Sequence, residues 1–438
     1  MITRLALNLS QFFLISSIFI LGGYLHLSDA SAAIPSPFVQ TKMLAAFDAQ
    51  RGDRFGTAVA VGPEKAIVSS PAHDFFGKDS GAVYVFDVRT GDQLWKLTAP
   101  DAKENDLFGI SVAIQGDMAL VGSIGGTGEH SPSAGAAYLF DLSTGQAIRK
   151  FTAPDGEQFD RFGSAVAMQD NVAIIGAPHD DDQGPNAGAA YLYDISSGQQ
   201  LRKVTPNDGA QGDNFGAFSI GFSGDRSVVG AWLDDDLGPQ SGSAYIFNVS
   251  TGHQLSKLLP SDFRGGEFGA AVDLHGDTAI VGAFLQDSGA GTFSGAAYLF
   301  DATSGSQLHK LIASNSAGYD QFGQAVAIGE KLAIVGAPSK DNMQGIDAGA
   351  IYIFDSETGT ELLKVTPPEA AQDDLFGTSV AVENRIFLVG APHQDDGTAT
   401  GKAYLLFLVP EPSSSALLLI VILGAIGRRL AGVSSPTL

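Results

Sequence analysis

Short apolar runs alternate with turn residues along most of the chain, four runs to each unit of about 54 residues. In the third unit the runs begin at Phe162 and then cover residues 172–178, 188–194 and 200–206. Runs of this length, rich in β-branched and aromatic residues and bounded by Gly, Pro and Asp, are typical of β-strands. Outside two apolar terminal segments, no helical periodicity is visible. The pattern predicts four antiparallel strands in each unit.

The unit is marked by the dipeptide Phe-Gly, which recurs at steps of 53 or 54 residues. The seven copies begin at Phe55, Phe108, Phe162, Phe215, Phe268, Phe322 and Phe376. A fixed period of this length indicates supersecondary units that bury their apolar faces against one another. The second run of each unit is almost wholly apolar, as expected for a strand covered on both faces. Seven such units predict an all-β fold, a seven-bladed β-propeller of four-stranded blades.

The two ends of the repeat region complement each other. The last unit stops after its third strand at residues 402–407, and a sequence with fourth-strand character stands at residues 41–46. We predict that this N-terminal strand completes the last blade and closes the ring, because closure removes exposed strand edges. The propeller is therefore assigned to residues 41–408, with a linker at 33–40.

Both termini carry the features of targeting segments. Residues 1–32 combine Arg4, an apolar run and an Ala-Ser-Ala site, which is the pattern of a secretory signal peptide. Residues 409–438 contain an apolar run at 416–426 that is short for a membrane span of about 20 residues. The arginines that follow fit a short transmembrane segment whose basic end stays in the cytoplasm. We expect both apolar segments to be helical and to lie outside the fold.

The C-terminal segment resembles the PEP-CTERM sorting signal in the order of its three parts. These are the motif Pro410, Glu411 and Pro412, the apolar run, and the pair Arg428 and Arg429. The resemblance implies recognition by an exosortase in a Gram-negative-type bacterium. It also implies secretion across the inner membrane to the cell surface or the extracellular polysaccharide matrix. Whether the segment is a transient or a retained membrane anchor stays open.

Phe-Gly in the first strand followed by Gly-Ala-Pro in the second resembles the FG-GAP repeat over residues 41–408. Gly-Ala-Pro is intact at 176–178, 336–338 and 390–392. The resemblance implies the propeller of integrin α chains and a binding or adhesive role. Calcium-binding members place an Asp-x-Asp-x-Asp-Gly loop after the first strand, where this chain has only tight turns. We therefore expect the integrin-type calcium sites to be absent and no cofactor to be required, with calcium elsewhere left open.

The formal net charge of −23 excludes nucleic acid as a natural partner, because an acidic surface repels phosphates. Cations, a surface glycan or a protein ligand remain as partners. The chain has no cysteine, which excludes structural disulfides and thiol catalysis.

Aspartate recurs two residues before Phe-Gly in six of the seven units. These candidate ligand-binding residues are Asp53, Asp106, Asp160, Asp213, Asp320 and Asp374. The alternative interpretation is that each Asp fixes its turn by accepting backbone N–H groups. A second set follows the second strand of two units and offers candidate metal ligands, namely Asp180, Asp181, Asp182, Asp234, Asp235 and Asp236. Both sets are predicted to lie on one face of the propeller, which should be strongly negative.

The sequence favours an exported, non-enzymatic binding or adhesion protein of the cell surface or matrix, which we expect to be monomeric. A propeller enzyme is the first alternative. The unit that contains Trp95 resembles a quinoprotein dehydrogenase blade, although the other units lack this tryptophan. Abundant paired carboxylates also leave a glycan-active enzyme open. The other alternative is a purely structural component of the matrix.

Overall fold

The computed structural model describes residues 19–21, 24–26, 39–128, 131–262, 265–393 and 400–408. The chain divides into a compact unit, Gln40–Phe407, and a second unit formed by the segments before and after it. In the second unit, Phe19–Leu21 and Tyr24–His26 pair as antiparallel strands. The expectation that these six residues are helical is therefore wrong. Phe, Ile and Tyr in these two segments favour strands, which accounts for the difference.

The described residues include no helix long and apolar enough to cross a bilayer. The rest of the predicted signal peptide lies outside these residues. So do the C-terminal segment and its sorting motif of Pro410, Glu411, Pro412, Arg428 and Arg429.

The compact unit consists of seven four-stranded antiparallel sheets, which confirms the predicted seven-bladed propeller. The first strands are Val59–Val61, Phe108–Gln115, Val166–Gln169, Phe215–Ser223, Val272–His275, Ala325–Ile328 and Ser379–Glu383. The second strands are Lys65–Ser70, Met118–Ser123, Val172–Ala177, Arg226–Ala231, Thr278–Ala283, Leu332–Ala337 and Ile386–Ala391. The third strands are Ala82–Asp87, Ala136–Asp141, Ala189–Asp194, Ser243–Asn248, Ala296–Asp301, Ala350–Asp355 and Lys402–Leu408. The fourth strands of blades one to six are Gln93–Leu97, Gln146–Phe151, Gln200–Val204, Gln254–Leu258, Gln307–Leu311 and Glu361–Val365.

The N-terminal strand closes the ring, as the sequence predicts, but it begins at Val39, within the predicted linker 33–40. Val39–Leu44 is the fourth strand of blade seven and lies beside Lys402–Leu408 in its sheet. The first strands of successive blades pack against each other in cyclic order, and that of blade seven packs against that of blade one. At this junction the Phe55 N–H donates to the Thr400 carbonyl at 3.1 Å. The ring therefore has no open seam.

Each phenylalanine of Phe-Gly joins two blades. Its ring is buried and, in six of the seven blades, meets two aromatic rings of its own blade's third strand edge-on, as Phe55 does with Tyr84 at 5.6 Å and Phe86 at 6.0 Å. In blade seven Phe376 meets Tyr404, and Leu406 stands at the second position. Its backbone instead bridges the preceding blade, as Phe108 does with Gly81. The regular first strand of blade three begins only at Val166, later than predicted, whereas those of blades two and four begin at the phenylalanine itself.

The glycine of Gly-Ala-Pro lies where neighbouring blades approach most closely. A Cβ atom added to Gly176 would overlap the carbonyl oxygen of Gly216, the glycine of the next Phe-Gly. The same overlap with the next Phe-Gly glycine recurs at Gly122, Gly230, Gly282, Gly336 and Gly390. Blade one has Ser69 at this position. In six of the seven blades this glycine therefore permits close contact between two backbones.

A polar side chain in the fourth strand ties five blades to the next one. Trp95 donates its indole N–H to the Leu142 carbonyl of blade two at 2.9 Å. The corresponding donors to the next blade's third-to-fourth turn are Lys42, Arg149, Arg202 and His309. Trp95 thus has a structural role between blades, which accounts for its presence without quinoprotein chemistry.

We expect Gly176→Ala to destabilise the propeller by about 3 kcal/mol, because the added methyl group would push two blades apart. Gly329→Ala is the matched control. Gly329 is also buried, but its added Cβ would meet only Val382 side-chain atoms, at 3.5 Å and beyond. Urea unfolding of both variants measures the difference, and equal losses would contradict the role assigned to the blade contact.

Candidate functional site

The six aspartates before Phe-Gly are buried in their turns. Each carboxylate accepts the backbone N–H of the residue three positions earlier at 2.7–2.8 Å, as Asp160 does from Glu157. This contact is the turn-fixing interaction that the sequence left as the alternative. Asp320 and Asp53 also meet a cationic or imidazole side chain. Asp320 lies 2.8 Å from the Lys340 ammonium, and Asp53 lies 3.1 Å from His73 Nδ1. A ligand-binding role for the set stays a prediction.

Burial raises the pKa of several of these carboxyl groups, so they ionise less readily than carboxyl groups in water. It raises the pKa of Asp160 to about 6, and the charge of the nearby Asp180 adds to the effect. The pKa of Asp213 is raised to about 6 in the same way, with Asp234 as the charged neighbour. Burial also raises the pKa of Asp106. These turns therefore keep carboxylates charged at neutral pH at a cost in stability.

The pH dependence of stability should reveal this cost at Asp160. Its folded-state pKa of about 6 lies above the ordinary 3.8, so the folded protein holds the proton more tightly than the unfolded chain. The stability contributed by the protonated group is full below about pH 4 and is lost as the pH rises to about 6. Asparagine does not titrate. The stability of Asp160→Asn relative to wild type should therefore rise across this window by up to about 3 kcal/mol and then level off.

Urea unfolding between pH 4 and pH 7 measures this difference. Asp155→Asn is the control, since hydrogen bonding to Lys203 outweighs burial and lowers the pKa of Asp155 below the ordinary 3.8. Its stability difference from wild type should therefore change only below about pH 4 and stay constant across this window. A pH-independent difference for Asp160→Asn would contradict the assignment.

The first and third aspartates of each Asp triplet surround a lysine. In blade three, Lys203 Nζ lies 2.9 Å from Asp155, 2.7 Å from Asp180 and 2.5 Å from Asp182. In blade four, Lys257 Nζ has the same three contacts, with Asp208, Asp234 and Asp236 at 2.9, 2.8 and 2.5 Å. The ammonium group stands where the sequence predicts a divalent cation. The middle residues do not take part, because Asp181 accepts the Asn186 N–H and Asp235 is exposed.

A tyrosine of the third strand forms the floor of each lysine site. Lys203 Nζ lies 5.1 Å from the centre of the Tyr191 ring, and the Tyr191 hydroxyl is within hydrogen-bond distance of Asp155 and Asp180. Burial opposes the charge of Lys203, but its hydrogen bonds to the carboxylates raise its pKa on balance. The site is thus a cation held by carboxylates above an aromatic face.

The sequence analysis did not identify these lysines as site residues, although they recur. One stands just before the last apolar residue of the fourth strand in six blades, at Lys96, Lys150, Lys203, Lys257, Lys310 and Lys364. Lys96, Lys150 and Lys310 pair with Asp48, Asp101 and Asp262 at 2.5–2.7 Å. This recurrence is the signal that could have identified them. Met43 takes the place of the lysine in blade seven.

These contacts join two sets of loops at one end of the propeller. Asp155 belongs to the loop that leads from the fourth strand of one blade to the first strand of the next. Asp180 and Asp182 belong to the loop between the second and third strands. We call this end the loop face. Its carboxylates are largely paired within the protein. At the other end, the connections between first and second strands contain only two or three residues.

Two clefts open on the loop face. One of about 310 Å³ lies between blades four and five, and its wall includes Gln240, Gly266, Glu267, Asp287, Thr292 and Phe293. The other, of about 260 Å³, is bordered by residues of blades six, seven and one, including Arg54, Gln321, Pro338, Leu375, Pro392 and His393.

Large apolar side chains are exposed on the loop face but not on the opposite face. Among the described residues, the exposed ones in its loops are Phe47, Phe75, Phe76, Phe159, Leu237, Phe293, Tyr319, Met343 and Ile346. The others lie on fourth strands at the rim, apart from Phe218 of a first strand. In the described residues, none lies in the short connections of the opposite face. Exposed aromatic groups on a rigid scaffold are typical of binding surfaces.

The protein is thus a closed seven-bladed propeller that carries apolar and acidic loops on one face. The family model described as FG-GAP repeat matches residues 38–86, 92–140, 146–193, 199–247, 253–300, 306–354 and 360–407. These matches cover most of the sequence, and the chain belongs to the FG-GAP repeat family. Each match begins near a fourth strand and ends within the third strand of the next blade, so the family repeat is offset from the blade by one strand. A search of curated proteins found no significant match.

If the Lys203 side chain is removed, calcium can take the place of its ammonium group among the three carboxylates of blade three. Asp155, Asp180 and Asp182 are the one group of three potential ligands found within 4.8 Å in the described part of the chain. We expect Lys203→Met to lower stability by about 3 kcal/mol, because three carboxylates lose their cation. Millimolar calcium should restore part of the melting temperature of this variant and leave that of the wild type unchanged.

Thermal unfolding with and without calcium measures both effects. Lys150→Met is the control, since its site contains only Asp101. A rise in wild-type melting temperature with calcium would show instead that the acidic loops hold a metal beside the lysine.

Proposed function

We propose that this chain is an exported, non-enzymatic binding protein that uses the loop face of its FG-GAP propeller to attach to a surface ligand. The observation that carries the proposal is the unequal distribution of exposed apolar side chains between the two ends of the propeller. Phe75, Phe159 and Tyr319 are each more than 60% exposed, and all three belong to loop-face connections. Exposure of this kind is unfavourable in water unless a ligand covers it.

The pairing of the acidic residues supports binding over hydrolysis. A glycan-active enzyme needs one carboxyl group free to act as an acid and another free to act as a base or nucleophile. In blades three and four the carboxylates that approach one another closely share a lysine ammonium. This arrangement stabilises the loops and leaves the apolar groups and the clefts as the accessible features of the face.

The proposal also covers the localisation of the protein. The terminal segments support export across the inner membrane and display at the cell surface or in the polysaccharide matrix, through a PEP-CTERM-type signal read by an exosortase. In the native host, removal of residues 409–438 should therefore abolish surface display. Protease accessibility of the chain on intact cells measures this. Unchanged display would remove the sorting part of the proposal and leave the binding part intact.

The binding role is tested by comparing two triple variants of the full chain. Phe75→Ser, Phe159→Ser and Tyr319→Ser together change the loop face. Leu201→Ser, Leu255→Ser and Leu308→Ser change exposed residues of three fourth strands. We expect the loop-face variant to bind isolated cell envelopes and matrix at least tenfold less than wild type, and the rim variant to bind normally. Equal binding by both variants and wild type would favour a structural component without a specific ligand surface.

A further inference from the structure

In blade six the lysine site has lost all of its carboxylates. Three acids surround the lysine of blade three, and the residues at the same positions of blade six are Asn315, Lys340 and Asn342. The lysine itself is kept as Lys364, whose Nζ lies 5.8 Å from the centre of the Tyr352 ring. Asn315 Oδ1 accepts the Tyr352 hydroxyl at 2.7 Å, as the aspartate does in blade three. The site therefore retains its lysine and its aromatic floor but not its anions.

Lys364 is partly buried and has no counter-ion among the described residues. The lysines at the same position of blades one to five each lie 2.5–2.9 Å from an aspartate of the loop before the first strand. Lys364 makes no hydrogen bond or ion pair with another described residue. The second lysine of the site, Lys340, is itself satisfied, because its ammonium group lies 2.8 Å from Asp320 and donates to the Asn315 carbonyl at 2.9 Å. A partly buried ammonium group without a counter-ion is unfavourable.

These surroundings favour the neutral amine of Lys364. Burial and the positive charge of Lys340 lower its pKa, and the charges of Asp320 and Glu361 offset them only in part. The lysine at the same position of blade three has a raised pKa instead, because its hydrogen bonds to three carboxylates outweigh burial. A neutral amine is a nucleophile, whereas an ammonium group is not. Lys364 is therefore a lysine whose surroundings increase its reactivity.

The residues around Lys364 suit an anion rather than a second cation. Lys340 provides a positive charge where blades three and four have an acid, and the amide of Asn315 can donate a hydrogen bond that an aspartate cannot. The net charge of −23 repels an anionic partner from solution. A small neutral molecule that becomes an anion only after it reacts with the amine meets both conditions. Carbon dioxide is such a molecule, and it is small enough to reach a partly buried amine.

We propose that Lys364 is a modification site at which carbon dioxide converts the amine reversibly to a carbamate. The amine lone pair forms a bond to the carbon of carbon dioxide, one carbon–oxygen π pair moves to oxygen, and the nitrogen releases one proton to water. The product, a carboxylated lysine, is an anion that pairs with the Lys340 ammonium group. Blade six thereby regains a lysine–carboxylate pair, with the carboxylate on the fourth strand and the lysine in the loop. The inference is independent of the proposed binding function.

The test uses the full chain in mildly alkaline buffer with ¹³C-labelled bicarbonate, followed by NMR of the carbamate carbon. A trialkyloxonium salt then converts the carbamate to a stable ester, which peptide mass spectrometry locates in the sequence. We expect the carbamate of the propeller to lie at Lys364 and to be absent from Lys364→Arg, because a guanidinium group stays protonated. Lys150→Arg is the matched control. Lys150 has a carboxylate partner, so its replacement should leave the signal unchanged.

Asn315→Asp tests the cause of the reactivity. This substitution introduces the aspartate that pairs with the lysine in blades one to five, so it is compatible with the fold and gives Lys364 a counter-ion. We expect the carbamate occupancy to fall at least tenfold and the melting temperature without bicarbonate to rise. Unchanged occupancy in Asn315→Asp would contradict the role assigned to the missing carboxylate.

Thermal unfolding provides a second measurement on the same proteins. Bicarbonate should raise the melting temperature of the wild type relative to chloride at equal ionic strength, because the modified lysine is stabilised only in the folded blade. It should leave that of Lys364→Arg unchanged. Three results would overturn the proposal. These are no carbamate in the wild type, equal labelling of Lys364 and the paired lysines of other blades, and an equal rise in melting temperature with acetate, which would indicate an external carboxylate ligand.

Discussion

The close contact between backbones of neighbouring blades is the constraint on which the rest of the structure depends. At Gly176 and the five other glycines of its kind, a carbonyl group of the next blade occupies the space that a side chain would need. This approach lets Phe162 and its equivalents bridge one blade with their backbone while their rings pack in another. Phe-Gly of one blade and Gly-Ala-Pro of the preceding blade therefore meet in the same contact between blades. The loops of the loop face are held in place because the blades beneath them cannot separate.

The period and the strand pattern were sufficient to predict the architecture, because each blade repeats the same local interactions. The seventh blade, completed by Val39–Leu44, followed from counting strands at the two ends. The sequence also offered turn fixing as the alternative role of the aspartates before Phe-Gly, since a carboxylate that bonds its own turn needs only local sequence. These features depend either on residues close together in the chain or on the repeat period, and both can be read from a single sequence.

The role of the Asp triplets could not be predicted, because it depends on a side chain from another strand. Lys203 follows Asp180 by 23 residues and reaches it only after the sheet has formed. The same holds for the donors between blades, where Trp95, Arg149 and His309 are chemically unlike but serve one contact. Composition identified a negative surface correctly in sign. It did not reveal that most of the clustered acids are neutralised internally.

The strand offset between the repeat and the blade also governs when the fold can be completed. Val39–Leu44 is the first strand of the propeller to leave the ribosome, yet its partner, Lys402–Leu408, is the last. About 360 residues must be made before the two can pair, and contacts of such separation form slowly. Val39–Leu44 therefore has no partner strand until Lys402–Leu408 has been made, so closure of the ring cannot precede completion of the last strand of the propeller.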